Sequence, residues 1–220
     1  MPSPLVILDT KYDPAVAAWA RKQNALAERG KATIKMVTLK KTQDMPDWRK
    51  IDRDMVIRPS PAWLSHPEDL DWWLGQAFEC KYRPSIYIDE GYQVGATANK
   101  MGEGVTGLWT RSRAFGFRCL FGAQRPAWIS KFVMTESDVL FIGRLNNLDD
   151  RKTIVNTTGE PLAIDTQERH HFLYIRQDGS NAVRLKPVDL SLQSAYVPEN
   201  RNKSRTPREV EGGFFSRLWG

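Results

Sequence analysis

The hexapeptide Ser85-Ile86-Tyr87-Ile88-Asp89-Glu90 constrains this chain more than any other stretch. Residues of strand-forming character run into two adjacent carboxylates, with Tyr82-Arg83-Pro84 before them and Gly91 after. A sheet that buries such a strand presents both acids at its rim, where ligands of open α/β sheets sit. There Asp89 is placed to hold a magnesium ion and Glu90 to polarise a water. Taken alone, the hexapeptide is also read as an ordinary strand whose acids face solvent. The surrounding chain has to separate the two readings.

The neighbours alternate between strand and helix. Leu5-Val6-Ile7-Leu8, ending at Asp9-Thr10-Lys11, reads as a buried strand followed by a loop. Asp13-Pro14 has the pattern of an N-cap with Pro at the first helical position, and Ala15 to Arg29 continues as a helix until Gly30. Ile34 to Leu39 and Met55-Val56-Ile57 read as further strands, with a polar loop from Asp44 to Asp54 between them. Ser65 caps the next helix, whose apolar stripe is Leu70, Trp73, Leu74, Ala77 and Phe78. The acidic strand follows directly. After a Gly-rich segment, Val105 to Phe115 reads as a helix carrying Arg111 and Arg113, closed by Gly116. Phe117 to Ala123 is a strand ending at Gln124-Arg125-Pro126, and Ala127 to Met134 reads as helical. Asp138 to Gly143 is another buried strand, ending at Arg144-Leu145-Asn146-Asn147, before a helix over Leu148 to Thr157. This rhythm predicts an α/β fold, a mostly parallel sheet with crossover helices, over residues 1–159. Residues 160–190 form a β-hairpin extension, with strands at Phe172–Arg176 and Ala182–Leu185. Residues 191–220 are a polar tail that closes on the aromatic patch Phe214 to Trp219.

Net charge is +6 and the pI about 9.4, which suits a polyanionic partner such as DNA. Cys80 and Cys119 have no metal-type spacing and read as buried thiols of a reducing compartment. No signal peptide is recognisable, and no apolar run approaches the ~20 residues of a membrane helix. The expected protein is therefore soluble and cytoplasmic, with no membrane span of its own. His170-His171 has no nearby Cys and few acids, so no metal is expected there. His66 at a helix start and the Trp residues between 63 and 73 read as structural.

In a parallel sheet, the strand ends after Ile88, Ala123 and Gly143 share one rim. That rim gathers two acids, a planar amide and several guanidinium groups: Asp89, Glu90, Gln124, Arg125 and Arg144, with Arg113 eleven positions before Gln124. Such a set suits phosphoryl transfer to water, which needs a metal-side acid, a base, an orienting amide and an Arg for developing charge. The segment from Leu5 to Gly159 resembles the FtsK/HerA-type P-loop ATPases, including the genome-packaging ATPases of tailless, membrane-containing viruses. The resemblance is most specific over Ser112-Arg113-Ala114-Phe115-Gly116 through Gln124-Arg125-Pro126. Asp149-Asp150-Arg151-Lys152-Thr153-Ile154 fits the helix after that family's last core strand, and Leu5 to Lys11 its strand ending in Asp. The resemblance implies that Asp89 is the magnesium-side acid of the Walker B strand, Glu90 the base and Gln124 the sensor amide. It implies that Arg113 is an arginine finger acting on ATP in a neighbouring subunit, with Arg111, Arg125 and Arg144 as weaker alternatives. ATP and Mg would be the cofactors. The partners would be double-stranded DNA, further copies in a homo-oligomeric ring (a hexamer by this resemblance) and a capsid or membrane-vertex protein. The location would be the host cytoplasm or the virion.

The chain departs from that family at one place. No Gly-x-x-x-x-Gly-Lys-Ser/Thr occurs; the nearest stretch, Arg29-Gly30-Lys31-Ala32-Thr33, lacks the first Gly and has Ala where the hydroxyl belongs. The family's phosphate loop lies upstream of the strand that Leu5 to Asp9 resembles. The expectation is that Met1 is an internal start, and that a core strand is missing, leaving two unpaired apolar edges. Alternatively Ile34 to Leu39 fills that gap. The function implied is ATP-driven DNA translocation in viral genome packaging. The alternatives are a catalytically inactive DNA- or capsid-binding scaffold, a filamentous-phage-type assembly ATPase, and a small-molecule phosphotransferase.

Overall fold

In the computed structural model, which describes residues 3–27, 33–62, 64, 67–94 and 101–187, the first apolar run lies at the centre of a sheet. Ser65, His66, Trp63 and the tail with its aromatic patch lie outside the described residues. Strand β1 (Leu5–Asp9) pairs in parallel with β3 (Asp54–Pro59) on one side and β4 (Ser85–Asp89) on the other. Strand β2 (Ile34–Leu39) adds beyond β3 and β5 (Arg118–Phe121) beyond β4, so the order is β2-β3-β1-β4-β5, all parallel.

Both faces of the central strands are covered, which is why they read as near-continuous apolar runs. Val6 and Leu8 of β1, with Ile86 and Ile88 of β4, face α2 (Pro67–Gly75) and α3 (Glu103–Phe115), meeting Leu70, Trp73, Leu74, Val105 and Leu108. Ile7 and Val56 face the other way, onto Ala20 of α1 (Pro14–Leu26). Asp13 caps α1 with its side chain, as the sequence predicts, but the helix ends at Leu26 rather than running to Arg29. Helix α3 is capped from its neighbour: Asp71 of α2 accepts from the Gly104 and Val105 amides at 3.0 and 2.9 Å. A Cβ on Gly104 would stand 1.8 Å from the Asp71 carbonyl oxygen, so only glycine lets the helices touch there.

The strand expected after the Gln-Arg-Pro turn does not extend the parallel sheet. Strand β6 (Val139–Ile142) runs antiparallel to β7 (Phe172–Arg176), which pairs with β8 (Val183–Leu185) in a separate three-stranded sheet. The physical reason is that a two-stranded hairpin is marginal in water and needs a third strand with an apolar face. Leu140 and Ile142 supply it, packing with Leu173, Ile175 and Ile154 of α5 (Leu148–Thr158) in a second core. Arg144 therefore leaves an antiparallel strand and does not share the rim of the parallel sheet. The helix expected over Ala127 to Met134 is two pieces, a 3-10 turn (Pro126–Trp128) and α4 (Lys131–Thr135), because Ser130 caps anew.

Ile34 to Leu39 lies at the far edge beside β3 and fills no gap next to β5. Among the described residues β5 has β4 alone as a strand neighbour, and β6 has β7 alone. Each edge carries an exposed apolar side chain, Leu120 on β5 and Phe141 on β6. No helix among the described residues is long and apolar enough to cross a membrane.

Candidate functional site

The strand order reverses between β1 and β4. From β1 the chain crosses over α1 toward β2 on one side; from β4 it crosses over α3 toward β5 on the other. Adjacent strands whose connections leave in opposite directions open a crevice at their carboxyl ends, and this is where open α/β sheets bind ligands. The β1–β4 register puts Asp9 directly opposite Asp89, so two acids end neighbouring strands at the crevice.

The two carboxylates have different surroundings. Asp9 is fully buried and both its oxygens are used: Oδ2 accepts from Arg58 Nε at 2.9 Å and Oδ1 from the Asp13 amide at 2.9 Å. Arg58 of β3 also donates to the Asp13 carbonyl at 3.1 Å and lies 3.8 Å from the centre of the Tyr12 ring. Asp9 thus builds the β1–α1 loop. Asp89 is more open. Its Oδ1 accepts from the Tyr87 hydroxyl at 3.3 Å and stands 3.6 Å from Lys11 Nζ. Its carbonyl accepts from Thr10 Oγ1 at 2.5 Å, tying the two strand ends together.

Glu90 breaks the alternation of the strand. Extended backbone sends successive side chains to opposite faces, but Glu90 has φ 51° and ψ 56°, the left-handed region. That conformation costs a non-glycine residue about 1–2 kcal/mol. It swings the Glu90 carboxyl onto the same cation as Asp89: Lys11 Nζ lies 2.6 Å from Glu90 Oε2. The other oxygen, Oε1, accepts from the Gln124 backbone amide at 3.0 Å. The Glu90 side chain is 3 % exposed. Three strand ends, those of β1, β4 and β5, thereby converge on one carboxylate.

The field of this cluster moves its neighbours' protonation. Partial burial lowers the Lys11 pKa, but the bond to Glu90 and the charges of both acids outweigh it and hold the ammonium above its ordinary value. Tyr87 is pushed up to about 12, first by burial and then by the Asp89 carboxylate beside its hydroxyl.

Of the residues marked from sequence, Asp89, Glu90 and Gln124 come together. The Gln124 side chain is exposed at the rim, next to the carboxylate that its own amide fixes. Arg125 turns away and donates to buried Asp150 at 2.7 Å, with its guanidinium 4.5 Å from the Trp128 ring centre. Asp150 also accepts from the Ala127 amide, so α5 holds the Gln-Arg-Pro turn in place. Arg113 is not brought to the acids. It ends α3 at the amino edge of β5, 78 % exposed, and pairs with Asp138. Arg144 donates to Asn146 at 3.1 Å. Lys11 and Arg58 carried no motif. The signal for them was the parallel register: β1 and β4 lie side by side and each ends in Asp, and the basic residues nearest are Lys11, just after β1, and Arg58, near the end of β3 on the other side of β1.

The residues present fit a magnesium ion of the kind held by one or two carboxylates and by phosphate oxygens. Asp89 and Glu90 already converge on a positive charge. Gly122 keeps the space beside them open, since a Cβ there would stand 3.3 Å from Asp89 Oδ1 and 2.9 Å from the Tyr87 hydroxyl. A protein-only cage of three or more His, Cys, Asp or Glu groups does not occur among the described residues.

Solved structures that share this fold include viral packaging NTPases. The genome packaging NTPase B204 of Sulfolobus turreted icosahedral virus 2, solved with AMPPCP, superposes with a TM-score of 0.54 at 14% identity. The match covers 84% of this chain and 98% of that one. The DNA-packaging ATPase B204 of Sulfolobus turreted icosahedral virus gives 0.52 at 13% identity, over 85% of this chain and 98% of its own. This chain has the fold of the viral packaging NTPases. At the level of sequence, 112 residues are 25% identical to the DNA packaging ATPase P9 of Enterobacteria phage PRD1, covering 47% of this chain and 48% of that protein. The chain thus spans about half the length of the curated relative it matches. No protein-family model matches it. The packaging-NTPase fold accounts for the sheet and for the crevice where Asp89 and Glu90 meet.

Proposed function

We propose that this chain carries the metal-and-water side of an ATPase site in an oligomeric motor that moves double-stranded DNA during viral genome packaging. One observation carries the reading: at the β1–β4 crevice, Asp89 and Glu90 converge on a single cation while Gln124 closes over Glu90. Asp89 would hold the magnesium ion that accompanies ATP and neutralises its phosphate charge. Glu90, fixed by the Gln124 amide, would take the proton of the attacking water. The exposed Gln124 side chain would orient that water or contact the terminal phosphate. Arg113 faces away from its own acids, so it would serve ATP bound by the next copy in a homo-oligomeric ring. The net positive charge suits a DNA partner. The chain's similarity to P9, and its fold shared with B204, support packaging over the other reactions this rim could serve.

The test is Mg-dependent ATP turnover, with and without double-stranded DNA, measured on this chain and on the product of the reading frame extended upstream of Met1. Glu90→Gln is expected to lower turnover by about 10²–10⁴ while leaving the fold intact. Turnover that survives Glu90→Gln would remove Glu90 as the base. A protein that binds DNA or capsid but turns over no ATP in either form would replace the motor with a scaffold.

A further inference from the structure

Glu90 as it stands presents neither oxygen to water. A general base must lie within hydrogen-bond reach of the proton it takes. Here Oε1 accepts from the Gln124 amide, the Lys11 ammonium stands 2.6 Å from Oε2, and the side chain is almost completely buried. The same ammonium stands 3.6 Å from Asp89 Oδ1, the atom facing the space that Gly122 leaves open. Lys11 therefore occupies the position where a cation is required.

We infer that Lys11 is a latch on the acid pair, and that a divalent cation and the Lys11 ammonium bind Asp89 and Glu90 in mutually exclusive states. The inference rests on reading these acids as the metal-and-water side of the site. Like charges cannot share one carboxylate oxygen at these distances without strong repulsion. A cation arriving at Asp89 expels the ammonium, and Glu90 Oε2 is then free to face water. Without the cation, Lys11 keeps Glu90 engaged and the site inert. Coupling the release of the base to arrival of the metal prevents a bare carboxylate from standing in a buried site without a partner.

The neighbouring ion pair shows what a purely structural arrangement looks like. Arg58 is almost fully buried, holds Asp9 and the Asp13 carbonyl together, and lies against the Tyr12 ring. Lys11 is built differently. Its side chain is 31 % exposed, and its ion pairs among the described residues are with the two acids. A flexible four-carbon stem gives it a path into solvent.

Trace acetylation of lysines, quantified residue by residue by mass spectrometry, reads the latch without reference to turnover. The protein is labelled at neutral pH in EDTA, with Mg²⁺ alone, and with Mg²⁺ plus a non-hydrolysable ATP analogue. Lys50, 83 % exposed, serves as the internal reference. In EDTA, Lys11 is expected to react about fivefold more slowly than Lys50, because its amine is held between two carboxylates and is less exposed to the reagent. Mg²⁺, alone or with the analogue, is expected to bring Lys11 to within about twofold of Lys50, while Lys50 itself does not change. Equal reactivity in EDTA, or protection that persists in both Mg²⁺ arms, overturns the latch. Release of Lys11 by Mg²⁺ in a protein without ATP turnover keeps the latch and removes the motor. Turnover by a protein whose Lys11 stays protected at saturating Mg²⁺ and ATP analogue keeps the motor and removes the latch.

Discussion

The two ends of the parallel sheet handle charge in opposite ways. At the carboxyl end, Asp9, Lys11, Arg58, Asp89 and Glu90 pair across β1, β3 and β4, and their partners are wholly or largely removed from water. The backbone there enters the left-handed region twice, at Tyr12 and Glu90. At the amino end, Arg113 and Asp138 pair on the surface, both well exposed, in unstrained backbone. Ion pairs occur at both ends, so pairing alone marks nothing. What separates the ends is desolvation combined with backbone strain, a combination that persists only where the surrounding structure enforces it.

The largest difference is expected in stability. Arg58→Ala leaves the Asp9 carboxylate buried without its cation, and breaking such a pair costs about 3–5 kcal/mol. Urea denaturation of the variant against the parent measures it. A cost no greater than that of removing an exposed charge would mean that the carboxyl end is not held by its buried charges, and the comparison would fail.

A second, smaller effect appears only in alkali. Tyr87 is raised to about 12, whereas in the unfolded chain it titrates near 10. Folding therefore opposes its ionisation. The stability it represents is complete below pH 10 and is lost as pH rises from about 10 toward 12; the full shift would correspond to about 2–3 kcal/mol, and solvent screening of this half-buried hydroxyl brings the loss to about 1 kcal/mol. Cys119, raised to about 11 by burial, contributes a loss of the same sign from about pH 9 upward. Tyr87→Phe isolates the first contribution: its melting temperature should fall less steeply than the parent's above pH 10. Parallel curves would show that neither burial nor the Asp89 carboxylate holds the Tyr87 hydroxyl protonated.

Most of the sheet could be read from sequence because buried parallel strands are continuous apolar runs, and all five were marked. Strand β6 misled for the same reason. Val139 to Ile142 is as apolar as a central parallel strand, and only the later hairpin's need for a third strand gives it its partner. The acids and the Gln124 amide were legible because they end strands, and strand ends share a rim. Lys11 was not, since nothing local distinguishes a lysine in a loop from a solvated one. Its role depends on the β1–β4 register, which brings residues about eighty positions apart to within 3.6 Å. The left-handed turn at Glu90 was equally hidden: a glutamate there gives no sign of it, as a glycine would.

The smallest expected stability effect belongs to Arg113. Arg113→Ala removes an ion pair that is exposed on both sides, and such pairs contribute roughly 0.2–1 kcal/mol. Thermal unfolding should hardly move. The same substitution separates the two ends functionally. Helix α3 carries Arg113 about 15 Å from its own first residue, to the amino edge of β5, where it pairs with Asp138 and not with the acids of its own chain. If it acts on a neighbour's ATP, Arg113→Ala abolishes turnover by an otherwise stable protein. Mixing that variant with Glu90→Gln subunits then restores part of the activity, because some interfaces pair an intact Glu90 with an intact Arg113. Full turnover by Arg113→Ala alone would leave the amino end with surface charge and no catalytic part. Loss without recovery on mixing would mean that Arg113 shapes its own subunit, and that the two ends of the sheet are coupled within one chain rather than between copies.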